Sequence, residues 1–229
     1  CRFQLKDDIF IYDDDNQNIQ QQLRIFNPAS SKISLAMKPD SGTELFGKKQ
    51  LDLFFHSSKL KGNHNRKNIL AAALAVNCLG VDAGDILAGI QSFSPLPHRL
   101  EYVGNFCGID FYNDSISTIP ESTVEAVKTI KNVRMLILGG FDRGIGYEKL
   151  FSFLSVSTVT YFAFTGPAGQ RMMQEFDMVK KQEQQCKYFN RFEEIFEWFP
   201  KTGQGNACLL SPAAPSYDAF KDFEERGNA

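Results

Sequence analysis

Strand-length apolar runs alternate with helix-length stretches through the second half of the chain, and this alternation narrows the fold more than any other feature. Arg134–Leu138, Val159–Phe164 and Ala207–Leu210 read as strands, with a shorter one near Tyr188. Between and around them, Pro120–Lys131, Tyr147–Leu154, Ala168–Phe176, Arg191–Phe199 and Tyr217–Arg226 read as helices, the first with proline at a tolerated first-turn position. The strands are apolar almost throughout, the pattern of strands buried on both faces. The expected class is therefore α/β, with a mostly parallel sheet covered on both sides. Ahead of these units, Leu100–Val103 and Ile109–Tyr112 flank Asn105-Phe106-Cys107-Gly108 and predict a hairpin.

The first half has a different texture. Ile9–Tyr12, Leu23–Phe26, Ile33–Ala36 and Leu51–Phe55 are short apolar runs bounded by turn-forming residues, which predicts small strands. Asp13-Asp14-Asp15 reads as a solvated turn, since no ligand-spaced carboxylates follow it. Apolar residues at helical spacing predict a helix over Arg66–Leu79, with Gly80 at the C′ position. Asp82 then suits the N-cap of a second helix, Gly84–Phe93. Ser94-Pro95-Leu96-Pro97 cannot extend that helix, so two domains are expected, residues 1–94 and 95–229.

Composition removes several classes of function. A net charge of −2 gives no reason to expect nucleic acid or an anionic membrane as partner. No apolar run approaches the ~20 residues of a membrane-spanning helix. The five cysteines are odd in number and scattered, without the spacing of a zinc site or a disulfide framework, which fits a reducing cytoplasm. The chain opens at Cys1 and stops shortly after Arg226-Gly227, so it is expected to be an internal fragment of a longer protein.

Four places carry residues suited to chemistry. Gly139-Gly140-Phe141-Asp142-Arg143-Gly144 follows a strand: the glycines suit close approach of backbone N–H groups to an anion, and Arg143 can fork onto a carboxylate or phosphate. A plain tight turn is the competing reading. Asn113-Asp114 ends a strand and suits either a helix cap or an acid that grips ribose hydroxyls. Arg99, after the proline linker, suits a structural ion pair or a phosphate. Ser211-Pro212-Ala213-Ala214-Pro215-Ser216 opens the last expected helix, where a carboxylate would be favoured, with Ser216 as a simple cap the alternative. There is no GxxxxGK[ST] phosphate loop, no GxGxxG, no GxSxG elbow and no His pair with metal-ligand spacing. No metal ligand and no catalytic residue is assigned.

Five motifs in order carry a resemblance. Gly62-Asn63-His64-Asn65-Arg66-Lys67-Asn68 runs into an alanine-rich helix, followed by Leu96-Pro97-His98-Arg99, Asn113-Asp114-Ser115 and Leu138-Gly139-Gly140 with Arg143. The last is Ser211–Ser216 leading into Phe220–Gly227. Together they resemble the C-terminal half of the Mur ligase family, most closely its D-glutamate-adding branch, from about Lys59 to Arg226. The resemblance implies that residues 1–94 are the tail of a central ATP-binding domain and 95–229 a Rossmann-like, amino-acid-binding domain. It implies an ADP-forming ligase of peptidoglycan synthesis, monomeric and cytoplasmic. ATP and Mg²⁺ would activate the carboxylate of UDP-N-acetylmuramoyl-L-alanine as an acyl phosphate, which the amine of D-glutamate attacks.

By the same resemblance, Asn65, Asn68, Arg99 and Asp114 would contact ATP, and Thr118, Arg143, Ser216, Tyr217 and Phe223 would bound D-glutamate. The metal ligands and phosphate loop would lie upstream, leaving the fragment alone inactive. Two departures bear on the amino acid taken: Ile116 stands where the family has a lysine, and Arg143 replaces a lysine after the Gly-Gly turn. A ligase of the same superfamily for another acidic amino acid or a folylpolyglutamate-type substrate is the alternative. A diverged, non-catalytic homologue is the other.

Overall fold

The computed structural model describes residues 4–35, 45–198 and 206–229. Cys1, Ala36 at the end of one expected strand and Phe199 at the end of one expected helix lie outside them. The chain divides into two compact units, Cys1–Ser94 and Pro95–Ala229.

The first unit opens with a small parallel β-α-β arrangement. β1 (Ile9–Tyr12) pairs in parallel with β2 (Ser31–Ser34), Ile9 opposite Ser31, and α1 (Gln17–Ile25) connects them. Three helices follow: α2 (Gly47–Ser57), α3 (Asn63–Cys78) and α4 (Ala83–Ser92). Leu51, Phe54, Ile69, Leu70, Ala73, Leu74 and Ile86 form their common core. Gly80 takes φ +88° just past α3, and the Asp82 carboxylate accepts from the N–H groups of Gly84 and Asp85 to start α4.

Two expected strands of this unit are helical. Leu23–Ile25 ends α1, which starts where the Asn16 side chain accepts from the N–H groups of Asn18 and Ile19. Leu51–Phe55 lies within α2, where Leu51 and Phe54 are buried while Leu53 is exposed, a spacing of three rather than two. Both runs are short, and a run of that length carries either period. The Asp13–Asp15 turn is salt-bridged: the Lys67 ammonium sits 2.9 Å from Asp13 and 2.8 Å from Asp15. A cation that these clustered carboxylates could hold is therefore supplied by the chain itself.

The second unit is built on a six-stranded sheet. Its strands are β3 (Glu101–Phe106), β4 (Ile109–Asn113), β5 (Val133–Gly139), β6 (Tyr161–Thr165), β7 (Gln185–Phe189) and β8 (Asn206–Leu210), in the spatial order β3-β4-β8-β5-β6-β7. Only the β3–β4 hairpin is antiparallel, turning through Cys107 and Gly108, both at positive φ. The class is α/β with a mostly parallel sheet.

The helices are α5 (Pro120–Thr129), α6 (Glu148–Ser155), α7 (Gly166–Asp177), α8 (Phe192–Trp198) and α9 (Phe223–Asn228). Alternate residues of the central strands serve two cores. Leu136, Leu138, Phe162, Phe164 and Leu209 pack with Leu150, Leu154, Met172 and Phe176 of α6 and α7. Met135, Ile137, Ala163 and Cys208 pack with Ile195 and Trp198 of α8 on the other face. This double burial is why the strands read as unbroken apolar runs. No helix among the described residues is long and apolar enough to cross a membrane.

Candidate functional site

The order of the central strands decides where the chemistry-bearing loops meet. β4, β8 and β5 are neighbours, and their carboxyl ends carry Asn113-Asp114-Ser115, the Ser211–Ser216 loop and the Gly139–Gly144 turn. Sequence order reverses here, since β6 and β7 extend from one side of β5 while β8 enters on the other. Ligands of open α/β sheets bind outside the carboxyl ends of strands at such a reversal.

The Gly-Gly turn is a seam between these loops. Gly139 N–H donates to Pro212 O (2.8 Å), Gly140 N–H to Thr165 O (3.0 Å) and Phe141 N–H to Pro215 O (2.8 Å). The expectation that the two glycine N–H groups face an anion is therefore corrected, because both are engaged within the fold. The glycines have a different reason. At φ +116° and +135° a side chain would be strained, and a Cβ would collide with Thr165 O at Gly139 and with Pro215 O at Gly140.

The helix expected over Tyr217–Arg226 forms only from Phe223 onward. Ala219 and Phe220 donate to Ser216 O in a single turn, and α9 starts only at Phe223, where the Asp222 carboxylate accepts from Glu225 N–H. Ser216 is thus no helix cap and has no helix N-terminus behind it. The late start places Arg226 inside the protein, 3% exposed. Its Nε donates to Ser115 Oγ (3.0 Å), and its terminal nitrogens donate to Ser115 O (2.7 Å), Ala214 O (3.0 Å) and Gly139 O (3.4 Å). One guanidinium therefore ties together the loops after β4, β5 and β8. Burial lowers its pKa to about 10, which still leaves it charged at neutral pH.

Asn113 and Asp114 look inward. Asp114 is 2% exposed; its Oδ1 accepts from Leu100 N–H (3.1 Å) and its Oδ2 from Ser211 Oγ (2.8 Å). It does not cap α5, whose N-cap is Ile119, with no side-chain bond, ahead of Pro120. Desolvation raises the Asp114 pKa, against the opposing pull of Ser117, Ser211, Leu100 and the Arg99 charge. Asn113 Nδ2 donates to Gly227 O and to His98 Nδ1, each at 2.8 Å. Arg99 is exposed beside this cluster.

Among the residues expected to face the amino acid, Arg143 and Thr118 are joined directly. A terminal nitrogen of Arg143 donates to Thr118 O (2.7 Å). Ser216, buried, follows the Pro215 carbonyl that holds Phe141, and Ser115 Oγ donates to Phe223 O (2.8 Å). Tyr217 is 70% exposed. Asn65 and Asn68 belong to the first unit: buried Asn65 donates to Lys61 O (2.7 Å), and exposed Asn68 donates to Asn65 Oδ1 (3.1 Å).

No family model matches the chain. It is 29% identical over 240 residues to the UDP-N-acetylmuramoylalanine–D-glutamate ligase of Porphyromonas gingivalis, covering 99% of this chain and 52% of that protein. It is 32% identical over 200 residues to the ligase of the same name from Solibacter usitatus, covering 85% and 44%. Among solved structures, MurF from Acinetobacter baumannii superposes with a TM-score of 0.63 at 14% identity, over 91% of this chain and 49% of that one. The chain belongs to the Mur ligase family. It spans about half the length of the curated relatives it matches.

Two arginines of this Mur-type site were not singled out from the sequence. Arg226 lies in the charged run of the last motif, where nothing local marks it as buried. Arg171 forms an i,i+4 pair with Glu175 (3.0 Å), the signature of a surface ion pair, yet it also forks onto Asp142 (2.8 Å to each oxygen) in the turn that carries Arg143. No local sequence signal marks the bonds from Arg171 to Asp142, 29 positions away, or from Arg226 to Ser115, 111 positions away.

Proposed function

We propose that this chain is part of an ATP-dependent ligase that joins D-glutamate to UDP-N-acetylmuramoyl-L-alanine in peptidoglycan synthesis, releasing ADP and phosphate. Residues 1–94 then belong to the central, ATP-binding domain and 95–229 form the amino-acid-binding domain. The enzyme works as a monomer in the cytoplasm. The observation that carries the reading is Arg143, an exposed cation beside Thr118 at the carboxyl edge of the sheet. Among the described residues it has no carboxylate within ion-pair distance, so its charge is available to an acidic substrate. The names of the relatives support the choice of D-glutamate.

ATP supplies the phosphoryl group that makes the substrate carboxylate reactive as an acyl phosphate. On this side of the reaction the chain's residues bind and orient. Asn68 keeps its carbonyl oxygen for an adenine amino group, and Arg99 offers an exposed cation for phosphate. Asp114 would turn its carboxylate to ribose, with Leu100 N–H and Ser211 Oγ holding it in place. For Mg²⁺ the residues present do not fit: the clustered carboxylates of the described residues, Asp13–Asp15, already hold the Lys67 ammonium. Arg143 and Thr118 would place the incoming amino acid, and the buried loops around Arg226 would hold that geometry while water is excluded from the acyl phosphate.

The test is phosphate release from ATP by the ligase containing this chain, with UDP-N-acetylmuramoyl-L-alanine and each of several amino acids. Release that depends on D-glutamate is expected. Release with a different acidic amino acid would transfer the chain to another branch, and none with any amino acid would overturn the reading.

A further inference from the structure

Arg171 and Asp142 occupy a position that the binding reading leaves unexplained. Asp142 directly precedes Arg143, and a carboxylate there is the natural partner for the neighbouring guanidinium. It is instead held by Arg171, twenty-nine positions along the chain on α7: Nε donates to Oδ2 and a terminal nitrogen to Oδ1, both at 2.8 Å. That terminal nitrogen also donates to Ile145 O (2.9 Å), on the far side of Arg143. The other terminal nitrogen donates to Glu175 (3.0 Å), and the guanidinium lies 4.8 Å from the ring centre of buried Tyr147. Asp142 Oδ1 accepts from Gly144 N–H as well (2.8 Å). The residues on both sides of Arg143 are thus fixed to one side chain.

We propose that Arg171 is a positioning residue that withholds Asp142 from Arg143, so that Arg143 keeps its positive charge for the carboxylate of the substrate. The inference rests on the reading of Arg143 as the receiver of an acidic amino acid. Two consequences of the geometry support it. Bidentate pairing occupies both Asp142 oxygens in the fork arrangement that only arginine offers. The Asp142 carboxyl is correspondingly held down to about 2, first by Arg171 and then by the Gly144 N–H, so it is a full anion at neutral pH that needs a partner. If Arg171 is removed, the cation next to Asp142 in sequence is Arg143. A clamp that served only to stiffen the turn would have no such second effect.

The experiment uses the 229-residue chain and glutarate, a dicarboxylate without the amine, titrated while the Arg143 side-chain Nε–H signal is followed by NMR and assigned by its loss in R143K. In the wild type the signal should shift and saturate. R171M should weaken glutarate binding about tenfold, a size that coupling between contacting charges reaches. The double variant R171M/D142N should recover most of that loss, because the competing carboxylate is gone. R171K, which keeps the charge without the fork, should fall between. A double variant no better than R171M, an R171M chain that binds as the wild type does, or a wild-type Arg143 signal unmoved by glutarate would each overturn the proposal. A glutarate response without D-glutamate-dependent phosphate release would instead count against the proposed reaction and leave the role of Arg171 standing.

Discussion

Arg226 reaches Ser115 across 111 positions of sequence, with Nε donating to the hydroxyl and a terminal nitrogen donating to the carbonyl. The remaining terminal nitrogen serves Ala214 and Gly139, so replacing the side chain leaves several buried carbonyls without a donor. Arg226→Met keeps much of the volume and removes every donor. It should cost about 3 kcal/mol, the range expected when the partners of a buried, hydrogen-bonded charge are orphaned. Urea unfolding followed by a probe in residues 95–229 checks this. A midpoint equal to that of the wild type would mean that the three loops hold together without it.

The Gly139–Gly144 turn contains two glycines that should respond unequally to the same change. At Gly140 a Cβ would meet the Pro215 carbonyl and lie 2.9 Å from an Arg226 nitrogen, with φ at +135°. At Gly144 φ is +68° and no atom lies within 4 Å. Gly144→Ala should cost only the left-handed backbone penalty, about 1 to 2 kcal/mol. Gly140→Ala should cost at least about 3 kcal/mol, because backbone must move as well. Equal losses in paired denaturation curves would show that the turn gives way more easily than this seam suggests.

Two aspartates of the same sheet edge should give pH dependences of opposite sign. The folded Asp142 carboxyl is lowered to about 2, chiefly by Arg171. An acid with a depressed folded pKa adds stability that is present above its unfolded pKa, about 3.9, and is lost as the pH falls through its folded value. The folded Asp114 carboxyl is raised by burial, so the stability it adds is present below about 3.9 and is lost as the pH rises through the folded value. Wild type minus Asp142→Asn should therefore shrink on acidification towards pH 2, while wild type minus Asp114→Asn should grow. Differences that move together in chemical denaturation at a series of pH values would contradict the assignment.

The parts of this architecture that were legible in the sequence are those where burial is symmetric or a cap is local. The central residues of β5, β6 and β8 are apolar because both faces are covered, and the Asp82 cap and Gly80 stop lie within two or three residues of what they control. The first sixty residues were harder: Leu51–Phe55 and Leu23–Ile25 are too short for their period to separate strand from helix. The candidate site was readable as a set of motifs, because each motif is contiguous. What joins them was not. That Asp114 is sealed by Leu100 and Ser211 rather than capping α5 depends on strand order, as does the burial of Arg226. Strand order has no local signature.

Arg143 offers the sharpest functional test, since its one observed bond is to the carbonyl of Thr118 and its charge has no acidic partner among the described residues. If that charge holds the incoming amino acid, Arg143→Ala in the ligase should raise the KM for D-glutamate about tenfold or more while the KM for ATP barely moves. Removing a charged hydrogen-bond partner costs on the order of 1.5 to 3 kcal/mol. Arg143→Lys should lie closer to wild type for D-glutamate, because one ammonium keeps the charge but cannot span Thr118 O and a carboxylate together. An interaction equally strong in ground and transition states would leave kcat nearly unchanged, so a fall in kcat with a steady KM would assign Arg143 to the tetrahedral stage instead. Equal increases in both KM values would mean that the cation serves phosphate, and the amino-acid pocket would then have to be sought elsewhere along the carboxyl edge.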